Sequence, residues 1–250
     1  MKMTNNQEEI LKILIKNGND LLVGHHEESF TNNIDAKNLF CDLDHYPHAF
    51  VLACVMDRQV AAERAWEIPY KISREIGGFE FSRIKKISLK EYEEIFSKNN
   101  FHRFPAKMAE CFYLAVKKID KDYNGDASGI WKDSPASGDV VIRFLQFKGV
   151  GVKIATMAAN ILVRYFKVKF KDHLCIDVSP DRQVKRVFER LGLIRKDAAI
   201  EELVYCARKL YPEYPGVFDL HCWEIGRNWC APKNPLCDQC YLNKLCPKII

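Results

Sequence analysis

The sequence has 250 residues, of which 48% are hydrophobic and 28% are charged, and its formal net charge at pH 7 is +5. This length and apolar content allow one larger domain or two small ones, each with a core. The composition excludes a membrane-spanning protein, because the apolar run at residues 49–56 is far too short to cross a bilayer. Residues 1–20 also lack the pattern of a signal peptide, so we expect a cytoplasmic protein.

Apolar residues recur every three to four positions, and the chain has no convincing series of alternating strands, so the sequence predicts an all-α fold. Asn6 and Glu9 frame the first predicted helix, which we expect to stop at Gly18. The segment at residues 25–28, two histidines followed by two glutamates, is expected to be a polar loop rather than a metal site.

Helix signals continue through the middle of the chain. Ser88 and Glu91 have the spacing of a capping box, and Pro105 is well placed at the first position of another helix. Residues 120–138 contain an Asn-Gly-Asp and a Ser-Pro sequence and form the clearest predicted loop.

Basic residues are concentrated between residues 143 and 172. This stretch contains seven lysines and arginines and a single aspartate, so its local charge is +6. Such a stretch suits phosphate binding, although many charge runs are only solvated surface. Inside it, Gly149-Val150-Gly151 separates two apolar helical segments, the second starting near Val152. Two glycines permit a tight turn whose backbone amides can approach a phosphate at the start of the next helix, but the same pattern also occurs in plain helix-helix turns.

Two further helices are predicted after the basic stretch. Asp181 is placed to cap the first, which should end at Gly192. Asp197 is expected to cap the second, which should end before Pro212.

Four cysteines then fall within seventeen residues, spaced as Cys230-x6-Cys237-x2-Cys240-x5-Cys246. In a cytosolic chain, closely spaced thiolates are natural metal ligands rather than disulfide partners. Structural zinc is one possibility, but the single Cys-x2-Cys hook suits an iron-sulfur cluster better. We expect the other six cysteines, at positions 41, 54, 111, 175, 206 and 222, to be small buried side chains.

The cysteine array resembles the 4Fe-4S cluster loop of the endonuclease III family of helix-hairpin-helix DNA glycosylases, and the segment from His221 to Arg227 resembles the helix that leads into it. The resemblance implies two helical domains with the active site in the cleft between them. One is a six-helix barrel with the helix-hairpin-helix, placed at residues 45–160. The other combines residues 1–44 with residues 161–250 and carries the cluster loop.

The glycine turn is similar to the family hairpin, with Phe147, Lys148 and Ile154 as replacements within the motif. Lys153 stands where bifunctional members carry their nucleophile. To attack C1′ of a nucleotide this amine must be neutral, so its pKa must be lowered, which a desolvated pocket, a helix N-terminus and a nearby base such as Lys148 could achieve. The other interpretation is that Lys153 binds phosphate.

The segment from Asp181 to Val187 resembles the family's Asp-x-x-Val-x-Arg-Val motif, which implies that Asp181 assists the attack by Lys153. Asp177 is the other candidate for this catalytic carboxylate. The 28-residue separation of Lys153 and Asp181 exceeds that of typical members, and the insertion between them alternates bases and aromatic residues at 164–171. It could hold a DNA strand or form an extension packed on the domain.

Short side chains fill the gap that a flipped base leaves in DNA, and Gln59 occupies the matching position after an apolar helix. The other interpretation is that Gln59 is an ordinary exposed helix residue. The neighbouring Asp57 departs from the family and would place an acidic group at the DNA edge. Gly149, Gly151, Lys148 and Lys233 complete the predicted DNA contacts.

The resemblance therefore implies a base-excision glycosylase that binds double-stranded DNA with a lesion or abasic site, removes the base, and cleaves the abasic site through a Schiff base at Lys153. The alternatives are a monofunctional glycosylase, a non-catalytic iron-sulfur DNA-binding protein and a zinc-ribbon module. We expect a monomer, associated with the nucleoid if the protein is prokaryotic. The sequence does not identify the excised base.

Overall fold

The computed structural model describes residues 3–24, 30–172 and 175–249, so the predicted polar loop at residues 25–28 lies outside the described residues. All regular secondary structure within those ranges is helical, which confirms the all-α prediction. The helices are α1 (Asn5–Val23), α2 (Ile34–Cys41), α3 (Pro47–Met56), α4 (Ala62–Trp66), α5 (Ile68–Ile76), α6 (Phe81–Ile84), α7 (Leu89–Lys98), α8 (Pro105–Tyr123), α9 (Ser137–Leu145), α10 (Val152–Arg164), α11 (Arg182–Arg190), α12 (Ile200–Leu210) and α13 (Asp219–Asn228), with short 3-10 helices at Ala127–Ile130, Pro215–Phe218 and Cys237–Gln239.

The chain forms two compact units. The middle unit contains residues 27–135 and 139–158, and the terminal unit contains residues 1–26, 136–138 and 159–250. No helix among the described residues has both the length and the apolar character that a bilayer crossing requires.

Helix α3 is the centre of the middle unit, because all its residues are buried. It packs against α2, α4, α5 and α8. Phe40 of α2 makes an edge contact with Trp66, with ring centroids 5.1 Å apart. This packing places α2 in the middle unit, whereas the sequence analysis assigned residues up to 44 to the other domain.

The terminal unit is built on α11 and α13, which pack against each other, and α1 packs against α13 and the 3-10 helix at Pro215–Phe218. Gly18 lies inside α1 and does not end it, so that prediction is wrong. A Cβ atom at Gly18 would collide with the backbone of Val217, which shows that this glycine serves close packing.

Several helix ends follow from the sequence. The Ser88–Glu91 capping box, Pro105 at the start of α8 and Asp181 at the N-cap of α11 are confirmed. Gly192 has φ 68° and follows the end of α11 as predicted.

Other helix ends differ from prediction. The cap of α1 is Thr4, which accepts the Gln7 N–H, rather than Asn6. Asp197 has φ 57° and cannot be an N-cap, and α12 instead begins after Ala199. The predicted loop at 120–138 is shorter, because α8 continues to Tyr123 and a 3-10 helix follows at Ala127–Ile130.

Candidate active site

A tight turn joins α9 to α10 in the middle unit. The buried Phe147 anchors it, since its N–H donates to the Phe144 carbonyl at 3.0 Å and its own carbonyl accepts the Val150 N–H at 3.1 Å. Gly149 has φ 89°, which L side chains rarely adopt. The turn therefore has the tight backbone that the glycine pattern predicts.

The two glycines of the turn have different surroundings. A Cβ atom at Gly149 would lie 3.0 Å from Cys111 Sγ and 3.2 Å from an Arg58 nitrogen, so protein atoms fill the space there. A Cβ atom at Gly151 would meet nothing within 4 Å. The Gly151 side of the turn is thus open to an approaching ligand.

Lys153 lies in the first turn of α10, and its Nζ donates to Asp57 Oδ2 at 2.9 Å. The Lys153 side chain is 32% exposed, whereas the Asp57 side chain is 7% exposed. One member of this ion pair can therefore meet a ligand while the other is buried behind it.

Asp57 caps the C-terminus of α3 and is buried. A buried carboxylate at the C-terminal end of a helix is disfavoured both by desolvation and by the helix dipole. The Lys153 ammonium compensates for both effects. Asp57 thus occupies a position that needs its lysine partner.

The loop after Asp57 is fixed by the fully buried His102. Its Nε2 lies 2.8 Å from the Arg58 carbonyl and its Nδ1 accepts the Phe104 N–H at 3.2 Å, which requires the neutral ring protonated on Nε2. Burial lowers the pKa of His102, which favours the same neutral form. Next to this anchor, Gln59 is exposed with φ 54°, outside any helix.

The predicted basic stripe is largely occupied by contacts within the protein. Lys148 pairs with Glu110. Arg143 donates to the Ile130 carbonyl, the buried Arg164 lies 3.8 Å from Asp219, and Lys167 donates to the carbonyls of Leu21, Leu22 and Gly24 at the end of α1. With Phe170 also buried, the insertion is in large part a packed extension.

Asp181 belongs to the terminal unit, where its carboxylate accepts the Gln183 N–H at 2.7 Å as the N-cap of α11. Its rival Asp177 receives two hydrogen bonds from Arg208, at 2.6 and 2.7 Å. This bidentate ion pair is strong and fixes the orientation of the Asp177 carboxylate.

The four cysteines of the array line one cavity in the terminal unit. Burial raises the pKa of the Cys240 thiol, and negative charge on Cys230, Cys246 and Cys237 raises it further. Within the described ranges, no group of three or more His, Cys, Asp or Glu side chains is arranged to hold a metal ion. The donor set is nevertheless all thiol and converges on one cavity, which suits a thiolate-bound group.

Two arginines of α11 hold the cysteine loop. Arg186 donates to the Cys230 carbonyl at 2.6 Å. The buried Arg190 donates to the Ala231 carbonyl at 2.8 Å and places a nitrogen 3.3 Å from Cys230 Sγ. Lys233 is exposed on the same loop.

Of the remaining cysteines, 54, 111 and 222 are buried as predicted, 41 and 206 are half-buried, and the prediction is wrong for 175, which is exposed.

Comparison with known proteins gives a consistent result, although no family model matches the chain. Endonuclease III of Thermotoga maritima is 35% identical over 109 residues, which cover 43% of this chain and 46% of that protein. The matched part thus spans about half of that relative's length. Endonuclease III of Synechocystis is 25% identical over 209 residues, covering 83% of this chain and 84% of that protein.

Solved structures agree in fold. A trapped endonuclease III–DNA covalent intermediate matches with a TM-score of 0.63 at 18% identity, covering 99% of this chain and 97% of that one. A thermostable thymine-DNA glycosylase matches with a TM-score of 0.63 at 16% identity, covering 97% and 96%. The chain therefore has the fold of these enzymes, and its resemblance to the endonuclease III family is confirmed.

Sequence reasoning missed two residues of the middle-unit site. The sequence marks Asp57 only as a departure from the family pattern. Its contact with Lys153 joins two residues that are 96 positions apart in the chain. His102 carries no motif at all. The replacement of a short neutral residue by an acid was the available signal for Asp57.

Proposed function

We propose that the protein is a base-excision DNA glycosylase of the endonuclease III type that also cleaves the abasic site through Lys153. The observation that carries this proposal is the partly exposed Lys153 amine at the start of the hairpin helix, paired with a buried carboxylate. The relatives named endonuclease III, and the covalent DNA intermediate of one structural neighbour, support it.

In this proposal Lys153 attacks C1′ of a flipped nucleotide, displaces the base and forms a Schiff base, after which β-elimination releases the 3′ phosphate. Asp181 provides a second carboxylate that stabilises positive charge on the sugar. It keeps its capping contact with Gln183 N–H in this role, since a carboxylate has several acceptor sites.

The DNA grip is proposed to come from several places. The open side of Gly151 lets a phosphate approach backbone amides at the start of α10, and Gly149 gives the turn its shape. Lys148 and Lys233 are exposed cations for further phosphate contacts, and Lys148 would exchange Glu110 for a phosphate. Gln59, exposed on its anchored loop, would fill the gap left by the flipped base.

The four cysteines at 230, 237, 240 and 246 are proposed to bind a 4Fe-4S cluster. Their convergence on one cavity and the arginine contacts around Cys230 fit such a group. When bound, the cluster would cross-link the loop and orient its cations toward DNA. The glycosylase and lyase steps transfer no electrons, so its role here is structural.

The test is incubation of the wild-type protein with duplexes that each carry one lesion: an oxidised pyrimidine, an oxidised guanine, a deaminated base, a mismatched thymine or an abasic site. Base release with strand cleavage on one lesion and cleavage at the abasic site are expected. Base release without cleavage would favour the monofunctional alternative, and tight binding without either would favour a non-catalytic protein.

A further inference from the structure

Asp57, a buried carboxylate that departs from the family pattern, lies against the proposed nucleophile. Asp57 Oδ2 accepts a hydrogen bond from Lys153 Nζ at 2.9 Å, within the range in which a proton passes directly between the two atoms. Asp57 ends a helix whose every residue is buried, so it cannot move away easily. The pair is therefore a fixed donor and acceptor.

The nucleophile has a requirement that this contact can meet. An ammonium group has no lone pair, so Lys153 must lose a proton before it can attack C1′. We propose that Asp57 is the proton acceptor for Lys153, a catalytic role distinct from that of Asp181; this inference rests on the proposed lyase function.

The steps balance as follows. One proton passes from Nζ to Asp57 and leaves a neutral amine. The amine lone pair forms the C1′–Nζ bond while the C1′–base bond breaks, and the base departs with that electron pair. The departing base then takes a proton from the new secondary ammonium. Finally the C1′–O4′ bond breaks, C1′ and Nζ form the iminium, and O4′ takes the proton held by Asp57, which restores the carboxylate.

Two other titratable groups near the pair in the middle unit are poor proton acceptors. The thiol of Cys54 interacts with both charges, but complete burial raises its pKa well above the usual value. His102 holds the Arg58 carbonyl, and burial lowers its pKa. Lys148 is paired with Glu110.

The test is the rate of borohydride trapping on abasic-site DNA across pH for the wild type and Asp57→Asn. At about pH 7 the variant should trap ~100-fold more slowly, and its rate should recover roughly tenfold per pH unit as alkali deprotonates the amine. Asp120→Asn is the matched control, because Asp120 forms an exposed lysine pair with Lys85 in the same unit, and it should behave as wild type.

A counter-ion role gives a different result. Without its anion the amine would lose its proton more readily, so trapping by Asp57→Asn at neutral pH would be unchanged or faster, and this would overturn the proposal. A uniform loss at every pH would also overturn it, because it would indicate positioning alone.

A second variant covers the case in which Asp57→Asn folds poorly by circular dichroism. Asp57→Ala leaves room for a small acid, and added formate should restore its trapping rate, while chloride at equal ionic strength should not. Failure of formate to restore trapping in a folded Asp57→Ala protein would contradict the proposal. Absence of any adduct with wild type would instead contradict the proposed function itself.

Discussion

At the scale of single residues, the hairpin glycines show how one motif combines two physical demands. Gly149 has a left-handed backbone and is surrounded by Cys111 and Arg58, so it serves the fold. Gly151 faces open space, so its lack of a side chain serves an incoming ligand. The sequence presents these as equivalent, and only the surrounding atoms separate them.

We expect Gly149→Ala and Gly151→Ala to fail in different ways. Gly149→Ala should lower the free energy of unfolding by about 1–3 kcal/mol, because alanine is strained at that φ and meets two side chains. Gly151→Ala should leave stability near wild type and weaken DNA binding. Urea unfolding and fluorescence anisotropy with an abasic-site duplex measure both effects, and equal stability of the two variants would contradict the assignment.

The pairing of Lys153 with Asp57 is likewise a contact between two single residues. The hairpin motif is local in sequence, so it predicts Lys153. Asp57 depends on how α3 packs, which no local pattern encodes, and therefore its contact with Lys153 could not be predicted.

At the scale of elements, caps were predicted where a side chain and its N–H partner are close in sequence, as for Ser88 and Asp181. The prediction failed at Gly18, where a contact with a distant segment decides the conformation. It also failed at Asp197, where the actual start of α12 uses the Glu202 carboxylate, which accepts the Ala199 N–H.

Asp181 allows capping to be separated from chemistry. Asp181→Asn keeps a capping oxygen and should cost little stability, whereas Asp181→Ala should cost about 1 kcal/mol. Both should reduce the rate of base release, by roughly 100-fold if the negative charge is required. Asp177→Asn is the control and should retain the rate. Full activity of a folded Asp181→Asn protein would rule out the charge role.

Two buried histidines make stability depend on pH. Burial lowers the pKa of His48, whose Nε2 bonds the Phe79 carbonyl, and of His102. Because the unfolded state then binds more protons, stability is complete above the ordinary histidine pKa of 6.5 and falls as pH drops below it.

We expect a loss of roughly 1 kcal/mol per histidine per pH unit below that point, measured by urea unfolding at several pH values. His48→Gln and His102→Gln should each make this slope shallower. A slope that neither substitution changes would show that other groups control the acid sensitivity.

At the scale of the whole molecule, periodicity was sufficient to predict helices, and the family motifs lie in the C-terminal half of the chain. The fold match extends over 99% of the chain at only 18% identity. The chain therefore has this fold with few shared residues, because core packing accepts many apolar combinations. For the same reason, the sequence did not reveal that α2 packs with the middle unit.

The proposed cluster makes a prediction for the terminal unit. Purified protein should be brown. Cys237→Ala should be colourless, its terminal unit should unfold at a lower temperature, and it should bind DNA more weakly. Cys222→Ala is the matched control, since Cys222 is buried beside the loop without lining the cavity, and it should stay brown. A colourless wild-type protein containing zinc would contradict the cluster assignment.

The proposed reaction requires Lys153 to form a covalent bond with the sugar of an abasic or damaged nucleotide. The most direct measurement is borohydride reduction of the wild type and Lys153→Gln on an abasic-site duplex, followed by peptide mapping of the adduct. We expect an adduct on Lys153 in the wild type and none in the variant. No adduct from a folded wild-type protein that binds the duplex, or an adduct on another residue, would contradict it.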